Sequence, residues 1–194
     1  MISAAFPENE DLRIAALRSY RILDTIPESA YDDITHIASL ICGVPISAVS
    51  LVDENRQWFK SRKGLEDTET SRDIAFCAHA IAGDALFTVS DTLLDERFRD
   101  NPLVTGNPNL RFYAGAPLLT PGGQAVGTLC VMDQRPRELT AEQKDALRRL
   151  AVQVVALLEL GKRVGELADT QKDLEDALDL QKAVLNSADF SIIS

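Results

Sequence analysis

The sequence predicts an α+β domain, one central antiparallel sheet covered by helices, followed by a long C-terminal helix. Two amphipathic helical stretches come first, two β-rich hairpins follow, and an apolar repeat of seven runs through the last quarter of the 194 residues. Hairpins call for antiparallel strands, and helices grouped at the ends of the domain place them on the sheet's faces.

Glu8 to Leu23 carries Leu12, Ala15, Ala16, Ser19 and Ile22 or Leu23 at helical spacing. A second helix follows Pro27, read as a first-turn proline, with Tyr31, Ile34, Ile37, Ala38 and Ile41 on one face and Gly43 and Pro45 at its end. Ile46 to Val52 is β-branched and apolar, Asp53 to Arg56 has turn chemistry, and Gln57 to Lys60 resumes as a strand. Lys63 to Asp73 is polar and loop-like, Ile74 to Ile81 reads as a short helix, and Phe87 to Ser90 as a strand. Asp91 to Asn109 is long, charged and irregular, as covers over functional sites often are. Phe112 to Thr120 and Gln124 to Met132 flank Pro121-Gly122-Gly123 as a second hairpin. Thr140 and Gln143 form a capping box that opens the last helix near residue 140.

That helix carries a seam at alternating steps of four and three. From Ala146 it passes through Leu150, Gln153, Leu157, Leu160, Val164, Leu167, Gln171, Leu174, Leu178, Gln181 and Leu185. Such a repeat predicts a homodimer through a paired helix, since a lone helix would leave its leucines in water. A second stripe, Leu147, Ala151, Val154, Val155 and Leu158, ends by Leu160. Two apolar faces imply packing on the domain's own sheet as well as on a partner. The domain boundary is therefore placed near Leu160, with Gly161 and Gly165 just beyond it.

Hydrophobic residues make up 45% and aromatics 6%, enough for a core. No apolar run approaches the roughly 20 residues needed to span a bilayer. The N-terminus lacks the basic and apolar regions of a signal peptide, which predicts a cytoplasmic location. Thirty Asp and Glu against twenty Lys and Arg give a net charge of -10, which argues against nucleic acid and anionic membrane as partners. Cys42, Cys77 and Cys130 have no paired spacing and fit a reducing compartment.

Arg111 to Thr120 with Ala125 to Asp133 resembles the closing hairpin of GAF domains. Val49 to Asp53 with Gln57 to Ser61, Arg72 to Ile81, and Phe98 to Val104 match the same family in order. The resemblance covers residues 8–160 and is of the type found in bacterial sensor histidine kinases and diguanylate cyclases. The last ten residues are similar to the opening of a PAS domain, where a strand begins. The implied organisation is a disordered N-terminus (1–7), a GAF domain (8–160), a signalling coiled coil (161–187) and a truncated PAS start (188–194). The chain would then be a non-enzymatic piece of a longer kinase or cyclase.

The resemblance implies about six antiparallel strands. The terminal helices cover one face, and the segment between Leu65 and Asn109 closes a ligand cavity on the other. Candidate pocket residues are Phe59, Arg72, Phe76, Cys77, His79, Asp91, Phe98, Tyr113 and Thr128. This mix of apolar walls and a few polar groups suits a small molecule. Arg72, Arg97 and Arg111 could equally pair with Asp73, Asp91 and Asp95 and pin the covering loop.

Cys77 and His79 could supply two metal ligands, but a closed zinc site wants four, and Cys42, Cys130 and His36 are expected apart from the loop. No metal is therefore expected. Bilin-binding relatives have cysteine followed directly by histidine; here Ala78 intervenes, so no covalent bilin is expected either. Cys77 reads as a buried structural cysteine, with a nucleophilic role left open. The leading reading is a sensory module that relays ligand or dimer state along the helix. Two alternatives stand beside it: a redox enzyme of the GAF-type methionine sulfoxide reductase kind, and a dimerisation module without ligand.

Overall fold

The computed structural model describes the backbone of residues 1–192 and the side chains of residues 1–183. The chain divides into two units, Met1–Leu158 and Glu159–Ser194. In the first, α1 (Glu10–Ser19) and α2 (Ser29–Cys42) precede the hairpin of β1 (Ile46–Val52) and β2 (Arg56–Lys63). Then come β3 (Glu69–Ser71), a 3-10 turn (Arg72–Ile74), α3 (Phe76–Ala80), β4 (Phe87–Val89) and α4 (Pro102–Thr105). The hairpin of β5 (Phe112–Leu119) and β6 (Ala125–Asp133) leads into α5 (Ala141–Ile192). Among the described residues the strands form one antiparallel sheet in the order β3-β2-β1-β6-β5-β4.

Alternation along the strands builds a core on each face. Val49 and Leu51 of β1, Phe112 and Ala114 of β5, and Leu129 and Val131 of β6 pack with Leu17, Ile34 and Ala38 of the first two helices. Leu147, Ala151, Val154 and Leu158 of α5 complete that core, so four of the five residues of the second stripe are buried, and Val155 is partly buried against them. The opposite face carries Ala48, Val52, Phe59, Tyr113, Cys130 and Met132 beneath Phe76, Cys77 and Phe98.

Local signals set most boundaries. Gly43 ends α2 in the left-handed conformation (φ 64°). The capping box forms: the Thr140 amide donates to Gln143 Oε1 (3.0 Å) and the Gln143 amide to Thr140 Oγ1 (3.3 Å). Pro27, expected inside the first turn of α2, lies before it, because the helix starts at Ser29. The segment expected as a loop from Lys63 to Asp73 contains β3. Its Glu-Thr-Ser sequence shows no apolar alternation because this edge strand is held by backbone pairing, with Gln57 opposite Thr70. Residues 1–7 form no helix or strand, yet the Ile2 amide donates to the Arg97 carbonyl and Phe6 stacks under the Arg72 guanidinium.

Gly115 in β5 shows how tightly the second face is filled. A β-carbon there would lie 2.2 Å from the hydroxyl of Tyr113, which is fully buried. Gly115→Ala is expected to destabilise the domain by about 1–3 kcal/mol through overpacking. The check is a lower urea midpoint at unchanged slope.

In the second unit the seam residues Leu160, Val164, Leu167, Leu174 and Leu178 are exposed, as are Gln171 and Gln181. Within the first unit Gln153 is exposed, whereas Leu150 and Leu157 are partly buried against the helical-face core. The Leu185 side chain lies outside the described residues. The helix runs to Ile192, where the PAS resemblance places the start of a strand; residues 193–194 lie outside the described residues. Among the described residues no helix is long and apolar enough to cross a membrane.

Candidate functional site

The second face holds a cavity of about 30 Å³. Phe59 and Gln57 of β2, Thr70 of β3, Phe76 and Cys77 of α3, Tyr113 of β5 and Met132 of β6 line it. Leu65, Asp67, Leu103, Pro108 and Leu110 from the covering segment complete the wall. Its size suits about two water-sized molecules. Gln57 Oε1 and Thr70 Oγ1 are buried there with no hydrogen-bond partner in the structure. An unsatisfied buried polar atom costs roughly 1–3 kcal/mol, and both of these belong to residues of the same cavity wall.

Beside the cavity Phe76 stacks on Phe98 (4.1 Å between centroids, 14°) and on Tyr113 (5.3 Å, 26°). Behind it lies a compact polar knot. Cys77 Sγ accepts from the hydroxyls of Thr128 (3.1 Å) and Tyr113 (3.2 Å), and Cys130 Sγ stands 3.9 Å away. Burial pushes the Cys77 thiol up, but hydrogen bonds with Cys130, Ser50, Thr128 and Tyr113 outweigh it and hold the group below its ordinary value. The hydrogen bond to Cys77, together with burial, raises Cys130. Tyr113 is raised by burial and by the charge on Cys77.

Four of the nine predicted pocket residues, Phe59, Phe76, Cys77 and Tyr113, line the cavity, and Phe98 and Thr128 support it from behind. The other three do not reach it. Arg72 is drawn to α1 and the β1–β2 turn, where it donates to Glu10 Oε1 (2.5 Å) and to the carbonyl of Asp53 (3.0 Å). Asp91 is taken up by a fork from Arg111 (2.7 and 2.9 Å), which holds its carboxyl below the usual range. His79 meets the Ile2 carbonyl (3.1 Å) and the edge of Phe98; burial lowers its pKa.

Cys130, expected apart from the loop cysteine, is its neighbour. Residues two apart on a strand share a face, so Thr128 as a pocket residue already implied Cys130, and Phe59 implied Gln57. Thr70 left no such trace, because β3 carries no pattern. Among the described residues no three His, Cys, Asp or Glu side chains converge as a metal site.

The GAF domain family model matches residues 27–158. The chain belongs to the GAF domain family. Over 147 residues, 76% of this chain, the GAF domain is 42% identical to a cyclic di-GMP phosphodiesterase of Pseudomonas aeruginosa. The match spans 25% of that enzyme's length. Among solved structures, the GAF domain of an Acinetobacter phosphoenolpyruvate-protein phosphotransferase superposes with a TM-score of 0.58 at 17% identity, over 80% of this chain and 98% of that one. The blue-light-absorbing form of the Thermosynechococcus elongatus PixJ GAF domain gives 0.57 at 14% identity, over 84% and 96%. At those identities the likeness shows the fold.

Proposed function

We propose that this GAF domain is a sensory module whose cavity takes a small hydrogen-bond-donating molecule and whose occupancy is relayed to a downstream output domain. The observation that carries the reading is the pair of unpartnered buried atoms, Gln57 Oε1 and Thr70 Oγ1, on two residues that line one largely apolar-walled cavity. A ligand larger than the cavity must displace its wall, and β3 is an edge strand that among the described residues pairs only with β2. Two residues beyond Thr70, Arg72 is bonded to Glu10 of α1. α1 shares a core with Leu147, Ala151 and Val154 of α5. A shift at Thr70 thus has a continuous packed route to the terminal helix. Transmission requires that the ligand favour one of two states of that helix.

The exposed seam supports pairing of two such helices as the output element. The phosphodiesterase relative supports an output in cyclic di-GMP turnover, beside the histidine kinase and diguanylate cyclase outputs that the sequence resemblance implies.

Native mass spectrometry and thermal shifts of the reduced chain test the ligand reading. A ligand at 100 times its Kd adds about 2.7 kcal/mol. The double variant Gln57→Met, Thr70→Val is expected to lose any co-purified molecule and its thermal shift while remaining at least as stable as the unliganded wild type. A wild type that carries no small molecule and gains no stability from any fraction of a cell metabolite extract would overturn it. Equal binding by the double variant would do the same.

A further inference from the structure

We propose that Cys77 is a peroxide-oxidised thiol resolved by Cys130, a reversible modification site reached through the cavity. Three features of the knot carry this. Cys77 belongs to the cavity wall, which gives a small oxidant a route toward its sulfur. Two hydroxyls, of Tyr113 and Thr128, point at the sulfur and stabilise it as a thiolate. A second thiol, Cys130, stands 3.9 Å away.

The cavity itself selects the oxidant. A volume of about 30 Å³ suits hydrogen peroxide, which is close to water in size and neutral, whereas a bulky disulfide such as oxidised glutathione would have to displace the wall. Hydrogen peroxide has two O–H donors and can also accept, and two wall residues carry unpartnered polar atoms: the Gln57 amide oxygen and the Thr70 hydroxyl. Cys42 is the internal contrast: it is equally buried, but burial alone acts on it and its thiol is pushed up to about 11.

In the first step Cys77 Sγ attacks one peroxide oxygen. The S–O bond forms, the O–O bond breaks, and the departing hydroxide leaves as water with the proton of the original thiol. Cys77 is then a sulfenic acid. Cys130 Sγ attacks that sulfur next, the S–S bond forms, the S–O bond breaks, and the hydroxyl leaves as water with the Cys130 proton. Overall two thiols are oxidised to one disulfide and one peroxide is reduced to two waters. Bonding needs the sulfurs to close to about 2.05 Å. Cys130 is fixed in the sheet, between β1 and β5, so the five-residue α3 must move toward it. Oxidation would thereby clamp the cavity wall to β6.

The proposal extends beyond ligand sensing and is tested apart from it, by hydrogen peroxide on the intact chain with no ligand present. Peptide mapping of the wild type should show a Cys77–Cys130 disulfide, a loss of two hydrogens reversed by dithiothreitol, formed at least about tenfold faster than any oxidation of Cys42. Cys130→Ser should stop at a sulfenic acid on Cys77 that dimedone traps, and Cys77→Ser should leave Cys130 reduced. Both cysteines remaining reduced in the wild type while Cys42 oxidises would overturn the proposal without touching the ligand reading. So would a Cys130 that oxidises as fast in Cys77→Ser, or a disulfide that forms only in denaturant. The wild-type map decides by itself if either variant fails to fold, which circular dichroism reports.

Discussion

Replacing Glu10 with alanine is expected to destabilise the GAF domain by about 3–5 kcal/mol, the scale of breaking a buried ion pair from one side. Its carboxylate is the shared partner of two buried guanidinium groups. Arg13, 1% exposed, donates to both of its oxygens (2.7 and 2.8 Å) and to the Val52 carbonyl (2.6 Å). Arg72, 6% exposed, donates to the same carboxylate from beyond β3. Removing the carboxylate leaves two cations desolvated without their counter-charge. Burial pushes the Glu10 carboxyl up, but the hydrogen bonds and charges of Arg13 and Arg72 prevail and take it from 4.5 to about 2.

A folded-state value below the unfolded one means that the contribution is fully present above about pH 4.5 and fades as pH falls toward 2. The check is a series of urea denaturations between pH 7 and pH 2. The wild type should lose on the order of 3 kcal/mol from this group across the acid window. Glu10→Gln, which keeps one acceptor oxygen, should sit between wild type and Glu10→Ala and lack that part of the acid slope. A wild-type midpoint in Glu10→Ala would refute the account and remove the fastening between cavity wall and α1.

The same three residues show what the sequence could and could not reveal. The helices and hairpins were legible because their apolar residues keep periods of 3.6 and 2, and Leu147, Ala151, Val154 and Leu158 of the second stripe of α5 are buried. Phe59, Phe76, Cys77 and Tyr113 were legible as pocket residues because the family resemblance placed them on the covered face. Arg72 was visible as a charged residue in the covering segment, but its partner Glu10 is 62 residues away, and nothing local encodes that meeting. Asp91 was recognisable for one of two fates, and Arg111 across the β5 boundary takes it. β3 was hidden for a different reason: strands held by backbone pairing at an edge need no apolar pattern. With β3 hidden, Thr70 and the polar half of the cavity were hidden too.

Phe76→Ala is expected to cost about 3–5 kcal/mol and, unlike the loss at Glu10, to be partly recoverable by a ligand. The ring is 3% exposed, sandwiched between Phe98 and Tyr113, and forms part of the cavity wall. Its removal merges the volume of a phenyl ring with the existing space. The surroundings limit collapse: Tyr113 sits at 0% exposure in the sheet and is hydrogen-bonded to Cys77, while Phe98 is held by the segment that Asp95 and Asn101 cap. The enlarged space, walled mostly by apolar side chains, has room for benzene. Thermal melts with saturating benzene should therefore raise the Tm of Phe76→Ala by several degrees and leave the wild type, with its water-sized cavity, unmoved. If Phe76→Ala fails to respond, the face has collapsed, and a ligand larger than a few atoms could enter only by moving β3. A wild type that responds as strongly would mean that the wall already opens to ring-sized molecules. That outcome would shift the selection of ligands from cavity volume to the two polar atoms at Gln57 and Thr70.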